Sequence, residues 1–374
     1  MPKTLAPTVL MYYYQYMQKS APASKATTQT SLGDRSMLVF LCAFVLLVLA
    51  GCAGGGGSVP SSGVPPVKPT PPPHTDFYIY VDPTSVAGVQ QYEQIKAARF
   101  DGIRTYFYPT RLAALRTAYT WTNYDWVPKA LALGLKFQFV LPAPLKSDLD
   151  DPTTYTAEIT AAMKAWPGQT WELLGEPDQG VNGAVDIQFS FALTPAQYVA
   201  FVKAIVPSMR AADPRATILD GAIVPGFCQQ SISPNWLTDT KAVWPLVDGI
   251  GVHPYPLPWL NITTDKMFSY LQSVTALTGK PTVVTEWGLI QQYAPLRPGD
   301  YPVPNGGPLS PMQAAANMTA IVNAVNGKLP SFSFYEWDNN DDPWAATEGF
   351  GIVGTPELAA FTAARGSLAA APIH

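Results

Sequence analysis

The chain has 374 residues, of which 47% are hydrophobic and only 13% are charged. This supplies enough apolar surface for a large core and excludes wholesale disorder. The formal net charge is −4, and it becomes about −7 when the basic first 51 residues are left out. Phosphate backbones are bound by clusters of Lys and Arg, and the sequence holds no such cluster. The composition therefore argues against a nucleic-acid partner and favours an uncharged or weakly charged substrate.

Residues 37–50 form an uninterrupted run of fourteen apolar or small residues, preceded by several basic ones. The run is too short to span a bilayer comfortably, and its flanks are typical of a signal peptide. Its end, Leu49-Ala50-Gly51-Cys52, resembles the lipobox of bacterial lipoproteins. The resemblance implies that residues 1–51 are a removed signal peptide and that Cys52 becomes the lipidated first residue of the mature chain.

The alternative interpretation of this run is an uncleaved membrane anchor that ends in a chance cysteine. Either version places the rest of the chain outside the cytoplasm. The lipidated version predicts attachment to the bacterial cell envelope, with the outer membrane as the expected location. Residues 1–36 are long for the basic part of a signal peptide, and a translation start at Met11 or Met17 would leave three basic residues in place.

Residues 52–75 are dominated by Gly, Ser and Pro and predict a flexible, then extended, linker. The Pro-rich part could instead be a recognition ligand, but a spacer is the expected role after a lipidated cysteine. Cys42 lies in the removed segment and Cys52 is lipidated, so only Cys228 remains of the three cysteines. The mature monomer is therefore predicted to have no internal disulfide.

From residue 76 onward, short runs rich in β-branched and aromatic residues alternate with longer helical patterns, as in βα units around a parallel sheet. The predicted strands are 77–81, 102–108, 136–141, 171–175, 217–222, 249–252, 282–285 and 331–337. The predicted helices are 86–99, 111–133, 155–166, 195–212, 234–244, 265–278, 311–326 and 356–364.

Eight such units over residues 76–371 predict a single (β/α)₈ TIM barrel, preceded by the signal peptide and the linker. The competing architecture is a doubly wound open sheet, which predicts a Gly-rich phosphate loop after the first strand. No such loop follows Val81. Gly349, Gly351 and Gly354 fit a formal G-x-G-x-x-G pattern, but only twenty residues remain after it, too few for a βαβ unit.

Two glutamates stand at the carboxyl ends of predicted strands, where TIM-barrel chemistry is located. The fourth strand ends Trp171-Glu172-Leu173-Leu174-Gly175-Glu176-Pro177, and the seventh ends Thr285-Glu286-Trp287-Gly288. Two carboxyl groups with different surroundings are what glycoside cleavage needs, since one must be protonated and the other ionised.

These segments resemble the fourth and seventh strands of clan A glycoside hydrolases, with family 39 and family 5 the most similar in appearance. Two further segments extend the resemblance, Gly102-Ile103-Arg104 in the second strand and Val252-His253-Pro254-Tyr255 in the sixth. The resemblance implies that Glu176 is the acid/base and Glu286 the nucleophile of a retaining reaction. It also implies that Arg104 holds Glu286 ionised, and that His253 and Tyr255 orient Glu286 and the sugar.

Glu172 shares strand parity with Glu176 and is predicted to point into the barrel as a structural partner of a base such as Arg104. His253 could also be a satisfied core histidine. Tyr335 and Trp337 end the eighth strand, where the resemblance implies an aromatic platform beneath the sugar, and Trp337 is the favoured residue for that role.

One position departs from the family pattern. The residue before the acid/base is Gly175, whereas the family has an Asn that binds the sugar 2-hydroxyl. The departure leaves three interpretations: another residue supplies the contact, the substrate lacks that hydroxyl arrangement, or activity is reduced or lost.

The sequence excludes most other hydrolytic chemistries. Only His74, His253 and His374 are present, which is too few for a catalytic metal site on this barrel, and no cofactor is predicted. No G-x-S-x-G nucleophile elbow occurs, and a cysteine hydrolase would need Cys228 beside His253. The prediction is a lipid-anchored retaining glycoside hydrolase acting on a polysaccharide or oligosaccharide, and the alternative is a non-catalytic glycan-binding lipoprotein on a degenerate barrel.

Overall fold

The computed structural model describes residues 74–82, 91–108, 124–177, 193–224, 235–255, 264–289, 309–338 and 351–370. Eight parallel strands in these ranges close into a barrel in chain order, and the first strand pairs with the last. In chain order the strands are β1 (Asp76–Tyr80), β2 (Gly102–Tyr106), β3 (Lys136–Val140), β4 (Thr170–Glu172), β5 (Thr217–Ile223), β6 (Gly249–Val252), β7 (Thr282–Val284) and β8 (Ser331–Phe334). The predicted (β/α)₈ barrel is confirmed, and the doubly wound open sheet is excluded because the sheet has no edge.

Helices surround the barrel. In chain order those in the described ranges are α1 (Tyr92–Ala97), α2 (Val127–Ala132), α3 (Lys146–Asp150), α4 (Thr153–Ala165), α5 (Pro195–Ala212), α6 (Trp236–Asp239), α7 (Thr264–Thr278), α8 (Pro311–Val325) and α9 (Pro356–Ala370). The best predicted starts are those of α5 and α8. Each begins with a Ser or Thr cap, a Pro at the first position and a Gln whose side chain completes a capping box.

Three helix predictions need correction. The helix predicted at 234–244 ends early, because the Thr240 hydroxyl bonds to the carbonyl of Trp236 and the chain then turns into a short 3₁₀ segment, Trp244–Leu246. The helix α3 was not predicted, and α9 runs six residues beyond its predicted end. The predicted helices at 86–99 and 111–133 lie partly outside the described residues.

The two faces of the sheet have different chemistry. The outward face is apolar and packs under the helices, with Phe77 stacked on Phe334 and the ring of Phe361 edge-on to both. Burying each such ring contributes about 1.5–3 kcal/mol. The inward face carries polar side chains, which meet across the barrel. The outer layer thus holds the strands in place while the inner layer is available for chemistry.

The amino-terminal end of the barrel is closed by packing and simple ion pairs. Thr75, which the sequence placed in the linker, is fully buried, and its hydroxyl donates to the carbonyls of Val325 and Leu329. Asp101 forms an ion pair with Arg365 at 2.8 Å and also accepts a hydrogen bond from the backbone amide of Phe77. The chain is therefore anchored to the barrel one residue before β1 begins.

The predicted signal peptide, residues 1–51, and the lipidated Cys52 lie outside the described residues and stay predictions. So does most of the predicted linker. Among the described helices, none combines the length and the apolar character that crossing a bilayer requires.

Candidate active site

The fourth strand ends at Glu172, and the chain then leaves regular geometry. Leu174 and Glu176 both have left-handed backbones, with φ of 68° and 48°. This region is uncommon for residues other than glycine, and such strained positions cluster at functional sites. The irregular turn brings the Glu176 side chain to the carboxyl end of β6, where His253 directly follows the strand.

Arg104 lies at the centre of a buried charged network. Its guanidinium bonds to both carboxylate oxygens of Glu172, each at 3.1 Å, and to Oε1 of Glu286 at 2.6 Å. Gln138 donates to Glu172 from β3 at 2.8 Å, and Ser333 of β8 bonds to Gln138 at 3.1 Å. The predicted partnership of Glu172 with Arg104 is present, and it crosses the barrel interior.

Burial and charge act in opposite directions on this network. Burial raises the pKa of Glu172, but Arg104 and His253 outweigh burial and hold that pKa at about 2. Burial likewise lowers the pKa of Arg104, whereas Glu172 and Glu286 raise it well above its ordinary value. Glu172 and Arg104 therefore form a permanently charged pair.

Glu286 is surrounded by hydrogen-bond donors. Besides Arg104, the Tyr255 hydroxyl donates to its Oε2 at 2.7 Å, and Nδ1 of His253 lies 3.4 Å from the same oxygen. Burial raises the pKa of Tyr255, and Glu286 raises it further, so the phenol stays protonated as a donor. Glu286 is therefore held by two hydrogen bonds, from Arg104 and Tyr255, with the ring of His253 close by.

Glu176 has a different environment. Its side chain is 21% exposed against 10% for Glu286, and its Oε1 lies 2.8 Å from Nδ1 of His253. The sequence predicted that His253 orients Glu286; the structure shows that its hydrogen bond goes to Glu176. Burial by itself lowers the pKa of His253, but Glu286, Glu172 and Glu176 outweigh burial and raise it to about 10. The raised pKa favours the protonated imidazole, whose Nδ1–H can donate a hydrogen bond to Glu176.

The two predicted catalytic carboxyls are close together. One oxygen of Glu176 and one of Glu286 lie within 4.8 Å of each other, and Nδ1 of His253 lies 2.8 Å from Glu176 and 3.4 Å from Glu286. These three groups are also the set from which a metal site could be built. The guanidinium of Arg104 and the imidazolium of His253 already supply positive charge there, so the donor set does not fit a metal cation.

The aromatic platform was assigned to the wrong residue of the predicted pair. Trp337 is 1% exposed, its ring packs edge-on against Phe100 in the layer outside the barrel, and its indole NH bonds to Gln91. Tyr335 instead turns toward the site, stacked on Tyr80 at 5.0 Å and edge-on to Tyr255 at 6.4 Å. Tyr335 is thus the residue of the two whose ring borders the carboxylates.

Sequence reasoning missed three inward-facing residues of the site. Gln138 and Ser333 support Glu172 from β3 and β8, and Tyr106 follows Arg104 by two positions on β2. Tyr106 could have been predicted from Arg104, because residues two apart on a strand face the same side of the sheet. Gln138 and Ser333 belong to no recognisable motif.

No family model and no curated protein matches the chain in sequence, but its structure resembles several solved ones. A family 39 glycoside hydrolase from the gut symbiont Bacteroides cellulosilyticus WH2 is 18% identical with a TM-score of 0.57, and the match covers 80% of this chain and 64% of that one. The chain has the fold of the clan A glycoside hydrolases.

Two further structures support this likeness. The GH5_18 protein of Streptomyces cattleya, solved in complex with GlcNAc, is 15% identical with a TM-score of 0.58, over 81% of this chain and 82% of that one. A fungal β-1,4-galactanase is 14% identical with a TM-score of 0.57, over 77% of this chain and 99% of that one. The predicted resemblance in fold is therefore confirmed.

Proposed function

We propose that the protein is a retaining glycoside hydrolase that cleaves a polysaccharide or oligosaccharide, with Glu286 as nucleophile and Glu176 as acid/base. The observation that carries the proposal is that a carboxylate oxygen of Glu176 lies within 4.8 Å of one of Glu286. Retaining enzymes hold their carboxyl groups about 5–5.5 Å apart, whereas inverting enzymes leave about 6.5–9.5 Å for a water molecule.

The environments of the two glutamates support this division of roles. Glu286 accepts hydrogen bonds from Arg104 and Tyr255, which stabilise the carboxylate that must attack the anomeric carbon. Glu176 is more exposed, and its Oε1 lies 2.8 Å from Nδ1 of His253. Two carboxyls that differ in this way are suited to acid and nucleophile chemistry at one pH.

The first half of the reaction forms a bond from Glu286 to the anomeric carbon while the glycosidic C–O bond breaks. The leaving oxygen takes the proton of Glu176, and the Nδ1–H of His253 stabilises the carboxylate that remains. In the second half, water loses a proton to Glu176 and attacks the anomeric carbon, and Glu286 leaves as a carboxylate. Hydrogen bonds from Tyr255 and Arg104 then stabilise the negative charge that returns to Glu286.

The experiment is covalent trapping followed by intact-mass measurement. The protein is incubated with 2,4-dinitrophenyl 2-deoxy-2-fluoro glycosides of several sugars, whose electron-withdrawing fluorine slows hydrolysis of a glycosyl-enzyme. We expect one glycosyl adduct per chain, located on the peptide that contains Glu286. The matched control is Glu286→Gln, which removes the nucleophile and keeps its size, and which we expect to remain unlabelled.

Product stereochemistry separates this mechanism from its rivals. Proton NMR of the first product should show the anomer of the substrate. Inversion of the anomer would contradict the proposed double displacement. Saturable glycan binding without any sugar release would instead favour the non-catalytic glycan-binding lipoprotein.

We also propose that the protein is anchored to the bacterial cell envelope through a lipid on Cys52, on the strength of the lipobox-like segment Leu49-Ala50-Gly51-Cys52. Metabolic labelling with an alkyne-bearing fatty acid should tag the full chain and leave Cys52→Ser unlabelled. Equal labelling of both would contradict lipidation at this residue.

A further inference from the structure

Tyr106 is a tyrosine in the active site to which the mechanism above gives no role. Its ring is edge-on to Tyr80, with centroids 6.2 Å apart, and lies parallel to the ring of Tyr108 at 5.6 Å. Because neighbours on two sides fix the ring, the hydroxyl is held at a definite position. That position can be located from a residue on the other side of the site.

The Tyr106 hydroxyl fills the space where a side chain at residue 175 would begin. A Cβ placed on Gly175 would lie 2.6 Å from the Tyr106 oxygen, while Cζ of the same ring would be 3.6 Å away. Gly175 is not among the residues with a left-handed backbone, although both of its neighbours are. Glycine is therefore required at 175 by the phenol oxygen, and not by the turn.

The hydroxyl is also close enough to the catalytic carboxyls to be influenced by their charge. Burial raises the pKa of Tyr106, and Glu286, Glu172 and Glu176 raise it further, against the opposing effect of Arg104. The raised pKa keeps the phenol protonated at neutral pH, so that it can donate a hydrogen bond.

We propose that Tyr106 binds the sugar hydroxyl at C2, the carbon next to the anomeric centre, in place of a side chain at residue 175. This inference rests on the proposed function and names its substrate class: glycosides with a free C2 hydroxyl. Once Glu286 is positioned to attack the anomeric carbon, C2 is the adjacent atom, and hydrogen bonds to its hydroxyl strengthen in the transition state. In this proposal the Tyr106 hydroxyl is the donor that replaces the Asn side chain of the family pattern, and Gly175 leaves room for it.

The test compares each enzyme on two substrates that differ in one hydroxyl. Parent and Tyr106→Phe are assayed with the 2,4-dinitrophenyl glycoside that the parent cleaves fastest and with its 2-deoxy analogue. We expect kcat/KM of Tyr106→Phe to fall about 10- to 100-fold on the glycoside, as for loss of one transition-state hydrogen bond, and to stay within about threefold on the 2-deoxy analogue.

The matched control is Tyr78→Phe. Tyr78 covers Gly102 at the opposite end of the barrel, where its Cε1 would lie 2.4 Å from a Cβ on that glycine. Tyr78 is a buried tyrosine outside the active site, so Tyr78→Phe should keep the parental preference between the two substrates. Thermal melting of all variants shows that each is folded at the assay temperature.

A second variant moves the hydrogen-bond donor from Tyr106 to residue 175. Tyr106→Phe opens room for a side chain at 175, so the double variant Tyr106→Phe/Gly175→Asn should regain part of the preference for the C2 hydroxyl. Gly175→Asn alone should melt at a lower temperature, since its Cβ would meet the phenol oxygen at 2.6 Å.

The outcomes separate the two proposals. A Tyr106→Phe variant that loses activity equally on both substrates, or on neither, overturns the assignment of Tyr106 and leaves the hydrolase intact. A parent that cleaves no glycoside in the trapping and release assays overturns the proposed function and this inference with it.

Discussion

Both ends of the barrel have a tyrosine that covers a glycine from another part of the chain, yet only the carboxyl end has fully buried charges beside that tyrosine. At the amino ends, Tyr78 covers Gly102, and the nearby charges, such as Asp101 with Arg365 and Asp76 with Lys136, all keep some exposure to water. At the carboxyl ends, Tyr106 covers Gly175 beside a network of buried charges centred on Arg104. The residue types are alike, and the difference lies in burial.

Burial changes what the same charges do. In a pair open to water, attraction is screened, and it contributes about 1 kcal/mol or less. Inside the barrel the effective dielectric is lower, so each charge shifts its neighbours, as the raised pKa of His253 and the lowered pKa of Glu172 show. The comparison predicts that matched substitutions at the two ends affect different properties.

The largest predicted effect is on kcat/KM, where Glu286→Ala at the carboxyl end is compared with Asp101→Ala at the amino end. Glu286→Ala should lower kcat/KM by about 10⁴-fold or more, because it removes the attacking group. Asp101→Ala removes the partner of Arg365 and of the Phe77 amide, and should lower stability with kcat/KM unchanged. Activity assays beside thermal melts check this, and similar activity losses in both variants would contradict a division between the two ends.

The next effect is on stability. Arg104→Met leaves Glu172 and Glu286 as buried, uncompensated charges, and should lower the free energy of unfolding by about 3–5 kcal/mol. Arg365→Met removes a pair at the amino end and should lower it by about 1 kcal/mol. Urea denaturation of both variants at one pH measures the difference. Equal losses would show that the network at the carboxyl end is no more tightly coupled than the pair at the amino end.

Trp337 and Tyr335 follow the same strand, β8, and their alanine variants should differ in whether stability or KM changes. Trp337→Ala should cost about 3–5 kcal/mol of stability, because it empties a buried site beside Phe100, and should leave KM near the parental value when assayed well below the melting temperature. Tyr335→Ala should raise KM about tenfold or more with a smaller loss of stability, through loss of ring contact with the sugar. The reverse pattern would return the platform to Trp337.

The last prediction concerns a gradual change, the dependence of stability on pH. The pKa of His253 is raised in the folded protein from 6.5 to about 10, so the folded state binds more protons between these values. The stability from its charge is complete below about pH 6.5 and is lost as pH rises through about 10, with a slope of at most about 1.4 kcal/mol per pH unit. Subtracting the unfolding curve of His253→Gln from that of the parent isolates this term, and a flat difference would contradict a buried cation.

The strand pattern and the carboxylate positions were readable from the sequence because both follow from alternation along a strand. Arg104 lies in a predicted strand and Glu286 directly follows another, and their contact is made across the closed barrel. Trp337 was misjudged because regular alternation ends at Phe334, so parity beyond that point has no predictive value. The partner of His253 was missed because it depends on the left-handed backbone of Glu176, which no local pattern indicates.

Thr75 joins the barrel at the amino ends of the strands, against the carbonyls of Val325 and Leu329, while Glu176 and Glu286 lie at the carboxyl ends. The point where the preceding chain enters and the opening to the catalytic carboxyls are therefore on opposite faces of the domain. The lipid proposed on Cys52 would therefore hold the protein from the face opposite the two carboxyls, so that the attachment would not compete with a bulky polymer for the same face.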